Sequence, residues 1–225
     1  RDWERYAMIK ARVVAGDNDA ATYLQQMLKP FVYRKYLDYG SIESLRDLKR
    51  GIAREVTRRG MQDNIKLGSG GIREVEFIAQ TFQLIRGGRT GALQTQSLHL
   101  VLDALVAEGL MDPVEQQGLC KAYEFLRNTE HGLQGIADKQ TQQLPGDSLA
   151  QARLSAIMNC AGWTEFCEQL QQHRQQVSYS FAAIISEPGA IDELIQPSTE
   201  LQPDWPQNPE FDEIYQYLQH LGYEQ

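Results

Sequence analysis

The sequence predicts an all-α fold, a helical bundle of about eight helices followed by a proline-rich C-terminal tail with a short final helix. Apolar residues recur at helical spacing through most of the chain, and no segment alternates as a half-buried β-strand does. Glycines follow several of the periodic segments, and capping residues precede the next ones. With 225 residues, of which 42% are hydrophobic and 23% charged, the chain is long enough to bury a core.

Eight helices are predicted before residue 187, and each is delimited by glycines or capping side chains. We expect them at 2–15, 18–36, 41–59, 71–86, 97–109, 113–140, 148–160 and 164–186. Their predicted N-caps are Asp17, Ser41, Ser97, Asp112, Asp147 and Thr164. Five of the eight prolines fall within 188–209, which indicates an extended linker. The predicted domains are therefore a helical domain (1–187), this linker, and a terminal segment (210–225) whose helix covers about 210–221.

Charge is distributed unevenly along the chain. Residues 1–89 carry 17 basic and 11 acidic side chains, a balance of +6, whereas residues 90–225 carry 5 and 19, a balance of −14. An acidic chain is not expected to coat nucleic acid, although its basic first third suits a phosphate-bearing ligand. No apolar stretch has membrane-spanning length and no signal-peptide pattern opens the chain, so we expect no membrane partner. Three cysteines without a Cys-x-x-Cys pair fit the reducing cytoplasm.

A glycine-rich loop that runs directly into a helix is the most specific local feature. The segment KLGSGGIREVEF, residues 66–77, allows a close backbone approach and presents a helix start to an anion. It is neither a Walker A loop nor a dinucleotide fingerprint, and a plain tight turn is the alternative interpretation. The candidate phosphate or nucleotide contacts in this segment are Lys66, Ser69, Gly70, Gly71 and Arg73.

Two charges fall on apolar faces of predicted helices. Lys10 shares a face of the 2–15 helix with Tyr6 and Val13, so it either snorkels, pairs with an acid, or points at an anionic ligand such as phosphate. Glu74 lies within an apolar arc of the 71–86 helix. We expect it to be a structural buried charge with a cation from the basic first third as its partner.

The predicted helix at 41–59 has an arginine ridge opposite its apolar stripe. A solvated charged face explains most such ridges, but this one would also suit an acidic protein surface. The candidate partner-surface residues are Arg46, Arg50, Arg54 and Arg58.

No metal site and no catalytic residue is predicted in this chain. Asp17 and Asp19 form an Asp-x-Asp pair, but they begin a helix rather than follow a strand, so capping explains them. The four histidines have no ligand spacing, and no nucleophile motif is present.

Two long runs resemble one family closely: KLGSGGIREVEFIAQTFQLIRGGR at residues 66–89 and RDWERYAMIKAR at residues 1–12. They are similar to the bifunctional glutamine synthetase adenylyltransferases, and the first run resembles the N-terminal, adenylyl-removing half. The weaker similarity extends to about residue 187. In this family a polymerase-β-type nucleotidyltransferase domain precedes each helical region.

The resemblance implies that the parent enzyme phosphorolyses adenylyl-tyrosine on glutamine synthetase and releases ADP, with Mg²⁺, ATP, ADP and phosphate as cofactor or substrates. Its implied partners are glutamine synthetase and the uridylylated PII signal protein. The metal-binding carboxylates of the family are absent here and are expected upstream of Arg1, so we expect this chain alone to be inactive. The alternative is a non-catalytic helical module that docks glutamine synthetase or PII.

Overall fold

The structure, a computed structural model, describes residues 2–34, 63–138 and 140–186, and these belong to one compact unit. Within these ranges the chain is helical and forms no strand, which confirms the predicted all-α class. The helices are α1 (Asp2–Met8), α2 (Asn18–Val32), α3 (Ile72–Arg86), α4 (Leu98–Ala107), α5 (Pro113–Ala137), α6 (Ser148–Ile157) and α7 (Trp163–Ser186), with a 3₁₀ turn at Gly91–Leu93. The predicted helix at 41–59, the linker at 188–209 and the segment at 210–225 lie outside the described residues.

Local capping sets where most of the helices begin. The side chains of Asp17, Ser97, Asp112 and Asp147 each accept a hydrogen bond from a backbone N–H in the first turn of the following helix, as predicted. The prediction for Thr164 is wrong, because α7 already begins at Trp163.

The predicted first helix is too long. It ends at Met8, not near residue 15, and the side chain of Ile9 then enters the core with 3% of its surface exposed. The next two residues are tied to Gln96: Lys10 Nζ donates to the Gln96 carbonyl at 2.6 Å, and Gln96 Nε2 donates to the Ala11 carbonyl at 2.5 Å. Lys10 is therefore an exposed residue beyond the helix and does not lie on an apolar helix face.

The core surrounds α3, which packs against α4, α5 and α7. Its buried residues cover most of its circumference and include Val75, Phe77, Ile78, Phe82 and Leu84. Removing such side chains from water is the main favourable term in folding. None of the described helices combines the length and the hydrophobicity needed to cross a membrane.

A buried arginine joins α1 to α2. Only 2% of the Arg5 surface is exposed, and its guanidinium donates from Nε to the Phe31 carbonyl and from Nη2 to the Val32 carbonyl, both at 3.2 Å. These carbonyls lie at the C-terminal end of α2, where the helix dipole favours a cation. The contact therefore compensates a charge that would be costly to bury alone.

Candidate functional site

The glycine-rich segment is held between two other parts of the chain. On one side, the N–H of Ile65 donates to the Gln142 carbonyl at 2.8 Å. On the other side, Nη2 of Arg174 in α7 donates to the Asn64 carbonyl at 2.9 Å. Tertiary contacts therefore determine where this segment lies.

Gly70 and Gly71 form a closed turn. Gly70 has φ +68° and lies against α7 so closely that a Cβ atom would be 2.5 Å from the Cα of Arg174. Its N–H donates to the Glu74 carboxylate at 2.9 Å, and the Gly71 N–H donates to the Gly68 carbonyl at 3.0 Å. Because these two N–H groups already have acceptors, they are not available to an anion.

Glu74 lies half-buried in the first turn of α3, where it accepts the hydrogen bond from Gly70. Burial lowers the pKa of Arg174, and the carboxylates of Asp63 and Glu74 oppose that shift. Glu74 thus favours the charged form of a cation on α7, and its predicted partner from the basic first third stays a prediction.

A second buried carboxylate organises the cations beside this turn. The side chain of Glu130 in α5 is 3% exposed; it pairs with Arg127 and lies 3.7 Å from Lys66 Nζ. The Lys66 and Arg127 side chains are 39% and 34% exposed, so their outer donors reach solvent. We call these three residues the Glu130 cluster. A buried carboxylate requires such partners, because an unpaired charge in the interior costs several kcal/mol.

The polar surface continues from the Glu130 cluster across α5 and α3 to α1. Tyr123, one turn before Arg127, lies near Glu76. Burial raises the pKa of Tyr123, and the charge of Glu76 adds to the increase. Tyr6 in α1 is affected in the same way, since burial raises its pKa, Arg73 opposes the shift and Glu76 adds to it. Both phenols therefore stay protonated, and the charge of Glu76 acts on each of them.

Arg73 is the least engaged of the predicted cations in this area. It is half-buried, and no ion pair joins it to the residues that the structure describes. Its backbone N–H donates to the Lys66 carbonyl at 3.1 Å, so the two predicted phosphate contacts belong to adjacent turns. The charge of Arg73 acts on Tyr6, whereas Lys66 and Arg127 share Glu130.

The remaining candidates lie elsewhere. Ser69 contacts Ser178 of α7, with 3.1 Å between their Oγ atoms. Lys10 donates to the Gln96 carbonyl, and within the described ranges no hydrogen bond or ion pair joins it to the glycine turn. The partner-surface candidates Arg46, Arg50, Arg54 and Arg58 lie outside the described residues.

In the described ranges, no group of three or more His, Cys, Asp or Glu side chains is arranged to hold a metal ion. Glu74 accepts a hydrogen bond from a backbone N–H, and the buried Glu130 pairs with cations. These residues therefore do not fit the Mg²⁺ ion that the resemblance implies.

Sequence reasoning missed Glu130 and Arg127. Glu130 lies on the same face of α5 as the buried residues Leu126 and Leu133, so the helical-wheel argument that identified Glu74 would also have identified it. Arg127 lies three positions before Glu130, a spacing at which two side chains on one helix can meet.

Comparison with known proteins places the chain in a family. Residues 46–185 match the family described as GlnD PII-uridylyltransferase. A protein of Pseudomonas putida named bifunctional glutamine synthetase adenylyltransferase/adenylyl-removing enzyme is 50% identical over 228 residues, which cover 100% of this chain and 23% of that protein.

Two further relatives carry the same name. The protein of Pseudomonas syringae pv. tomato is 53% identical over 204 residues, covering 91% of this chain and 20% of the relative. The protein of Pseudomonas aeruginosa is 53% identical over 188 residues, covering 84% and 19%. The chain thus spans about a fifth of the length of the curated relatives it matches.

Proposed function

The chain belongs to the family described as GlnD PII-uridylyltransferase, and we propose that it is the helical part of a cytoplasmic glutamine synthetase adenylyltransferase/adenylyl-removing enzyme. We assign it to the half that removes adenylyl groups. The identity of 50% to relatives of that name supports the parent enzyme, and the run at residues 66–77 supports the choice of half. The proposed partners are glutamine synthetase as substrate and the uridylylated PII protein as regulator.

In the proposed reaction, an oxygen of inorganic phosphate attacks the phosphorus of adenylyl-tyrosine on glutamine synthetase. The bond from that phosphorus to the tyrosine oxygen breaks, the phenolate takes up a proton, and ADP is released. The reaction gathers several negative charges in one place, so catalysis depends on groups that neutralise and orient them. The family resemblance implies that the Mg²⁺ ligands belong to the nucleotidyltransferase domain.

The observation that carries the proposal is the Glu130 cluster. Glu130 holds Lys66 and Arg127 before any ligand arrives, and the Lys66 ammonium at 3.7 Å is outside hydrogen-bond distance of the carboxylate, which leaves its three N–H donors for an anion. Cations that are already oriented stabilise developing charge at a low cost of reorganisation. We therefore assign Lys66 and Arg127 to the attacking phosphate, with Arg73 beside them. Ser69, Gly70 and Gly71 form the turn that places Lys66.

The test uses the full-length enzyme, with adenylyl removal measured as ADP released at varied phosphate concentration. Lys66→Ala and Arg127→Ala should each raise the KM for phosphate by roughly tenfold or more, the factor that a lost interaction of about 1.4 kcal/mol produces. The adenylylation activity of the other half serves as an internal control, and Arg153→Gln, an exposed change in α6, is the matched control. An unchanged KM for phosphate in both variants would disprove the assignment.

A further inference from the structure

A cleft of about 450 Å³ lies between the residues after α1, the second half of α2 and the residues before α4. Its floor is apolar: Ile9 and Val32 line it, and they are 3% and 2% exposed. Leu28 and Tyr33 complete the apolar side. A concave site of this volume and lining falls in the size range of small-molecule sites in proteins.

The charged side chains that line this cleft are all basic. Arg12 and Lys29 line it, and none of its lining residues is acidic. Both cations are exposed, and in the described ranges neither has an ion pair. Two unpaired cations beside an apolar floor favour an anion that carries an apolar or planar body.

The walls are fixed by hydrogen bonds within the chain. Gln96 bonds both Lys10 and Ala11, and Nε2 of Gln94 donates to the Gly87 carbonyl at 2.7 Å. The Tyr33 ring packs on Gly87 so closely that a Cβ there would be 2.6 Å from Tyr33 Cδ1. The cleft is thus formed before any ligand binds, which reduces the cost of ordering it.

We propose that this cleft binds a small organic phosphate of nucleotide size, with the phosphate between Arg12 and Lys29 and the body against Ile9, Leu28 and Tyr33. A guanidinium can meet a phosphate with two parallel N–H donors and an ammonium adds a point charge, so the pair suits a dianion. The site is separate from the Glu130 cluster in its residues, and the inference goes beyond the proposed function.

The experiment titrates AMP into the chain by calorimetry, with adenosine and inorganic phosphate as the two halves of the probe. AMP should bind at least about tenfold more tightly than either half, because only AMP engages both the cations and the apolar floor. Raising the salt from about 50 to about 300 mM should weaken AMP binding, since exposed charges are screened over roughly 10 Å or less.

Variants decide which cations hold the ligand. The double variant Arg12→Gln/Lys29→Gln should lose at least about tenfold in AMP affinity, whereas Lys66→Ala/Arg127→Ala and the exposed control Arg153→Gln should keep it. Thermal melting checks that each variant is folded. A specific site should bind AMP with a Kd below about 5 mM. The absence of binding at that concentration would overturn the proposal. So would equal affinity in the first double variant. Loss only in the second would move the ligand to the Glu130 cluster, overturning this inference but not the proposed function.

Discussion

Gly70→Ala tests how the glycine turn meets α7. The added Cβ would lie 2.5 Å from the Cα and 2.6 Å from the carbonyl carbon of Arg174, and closer still to its carbonyl oxygen. Ordinary contacts of this kind are about 3.5–4.0 Å, so the two backbones must separate by roughly 1 Å. Both neighbours are main chain, and no flexible side chain can move aside instead.

The expected loss of stability has two parts. A side chain at φ +68° costs about 1–2 kcal/mol, and forcing packed backbones apart adds about 1–3 kcal/mol. We therefore expect Gly70→Ala to lower the free energy of unfolding by about 3 kcal/mol or more. Gly109 is a matched control, because it has φ +67° and nothing lies within 4 Å of its Cβ position. Gly109→Ala should therefore show only the backbone cost of about 1–2 kcal/mol.

Urea denaturation followed by far-UV circular dichroism measures both variants, with equal m-values as evidence that the unfolding transitions are comparable. The difference between them should be about 2 kcal/mol, since only Gly70 faces a backbone. If both cost the same within about 0.5 kcal/mol, the turn is not packed against α7 as described.

Two further predictions concern titratable side chains. Glu130→Gln should lower the free energy of unfolding by about 1–2 kcal/mol, less than for a fully buried pair, because Lys66 and Arg127 are partly exposed and can be rehydrated; an unchanged urea midpoint would contradict this. Burial lowers the pKa of His173 in the folded chain. As the pH drops, the unfolded chain therefore takes up a proton at this histidine before the folded chain does. The free energy of unfolding should fall as the pH drops through the ordinary histidine pKa of about 6.5. His173→Phe retains a ring beside Phe125, whose centroid lies 4.6 Å from that of His173 in the wild type. The variant should show a smaller drop in Tm between about pH 7.5 and pH 5 than the wild type. The same drop in both proteins would refute the assignment of this pH dependence to His173.

The parts of the fold that depend on local sequence could be predicted. Periodicity gives the helical class, and the short side chains of Asp17 and Asp147 act on N–H groups two or three residues away, so their effect is visible in the sequence. The end of α1 could not be predicted in this way. Lys10 and Ala11 leave the helix to bond Gln96, and a contact between distant parts of the chain leaves no periodic signal.

In the candidate site, too, features set by local sequence could be predicted and features set by tertiary packing could not. Lys66 and Arg73 could be identified because they flank a glycine loop at a helix start. The partner of Lys66 could not, because Glu130 lies on another helix and only the packing of α5 beside the turn brings the two together. Likewise the sequence indicated that Glu74 needs a compensating group, but it could not show that the carboxylate also acts on Arg174 of α7.

The two interpretations of the glycine loop, a phosphate contact and a tight turn, are compatible once the backbone of Lys66 is considered. Its N–H donates to Asn64 Oδ1 at 2.9 Å, its carbonyl accepts from the Arg73 N–H at 3.1 Å, and Arg174 holds the carbonyl of Asn64. The main chain at Lys66 is therefore fixed on both sides, and binding an anion has only the side-chain torsions left to order, which costs about 2 kcal/mol or less. In the proposed site the glycines serve anion binding indirectly. Gly70 allows the turn to lie against α7, Lys66 lies beside Glu130, and its ammonium is the group that we assign to the anion.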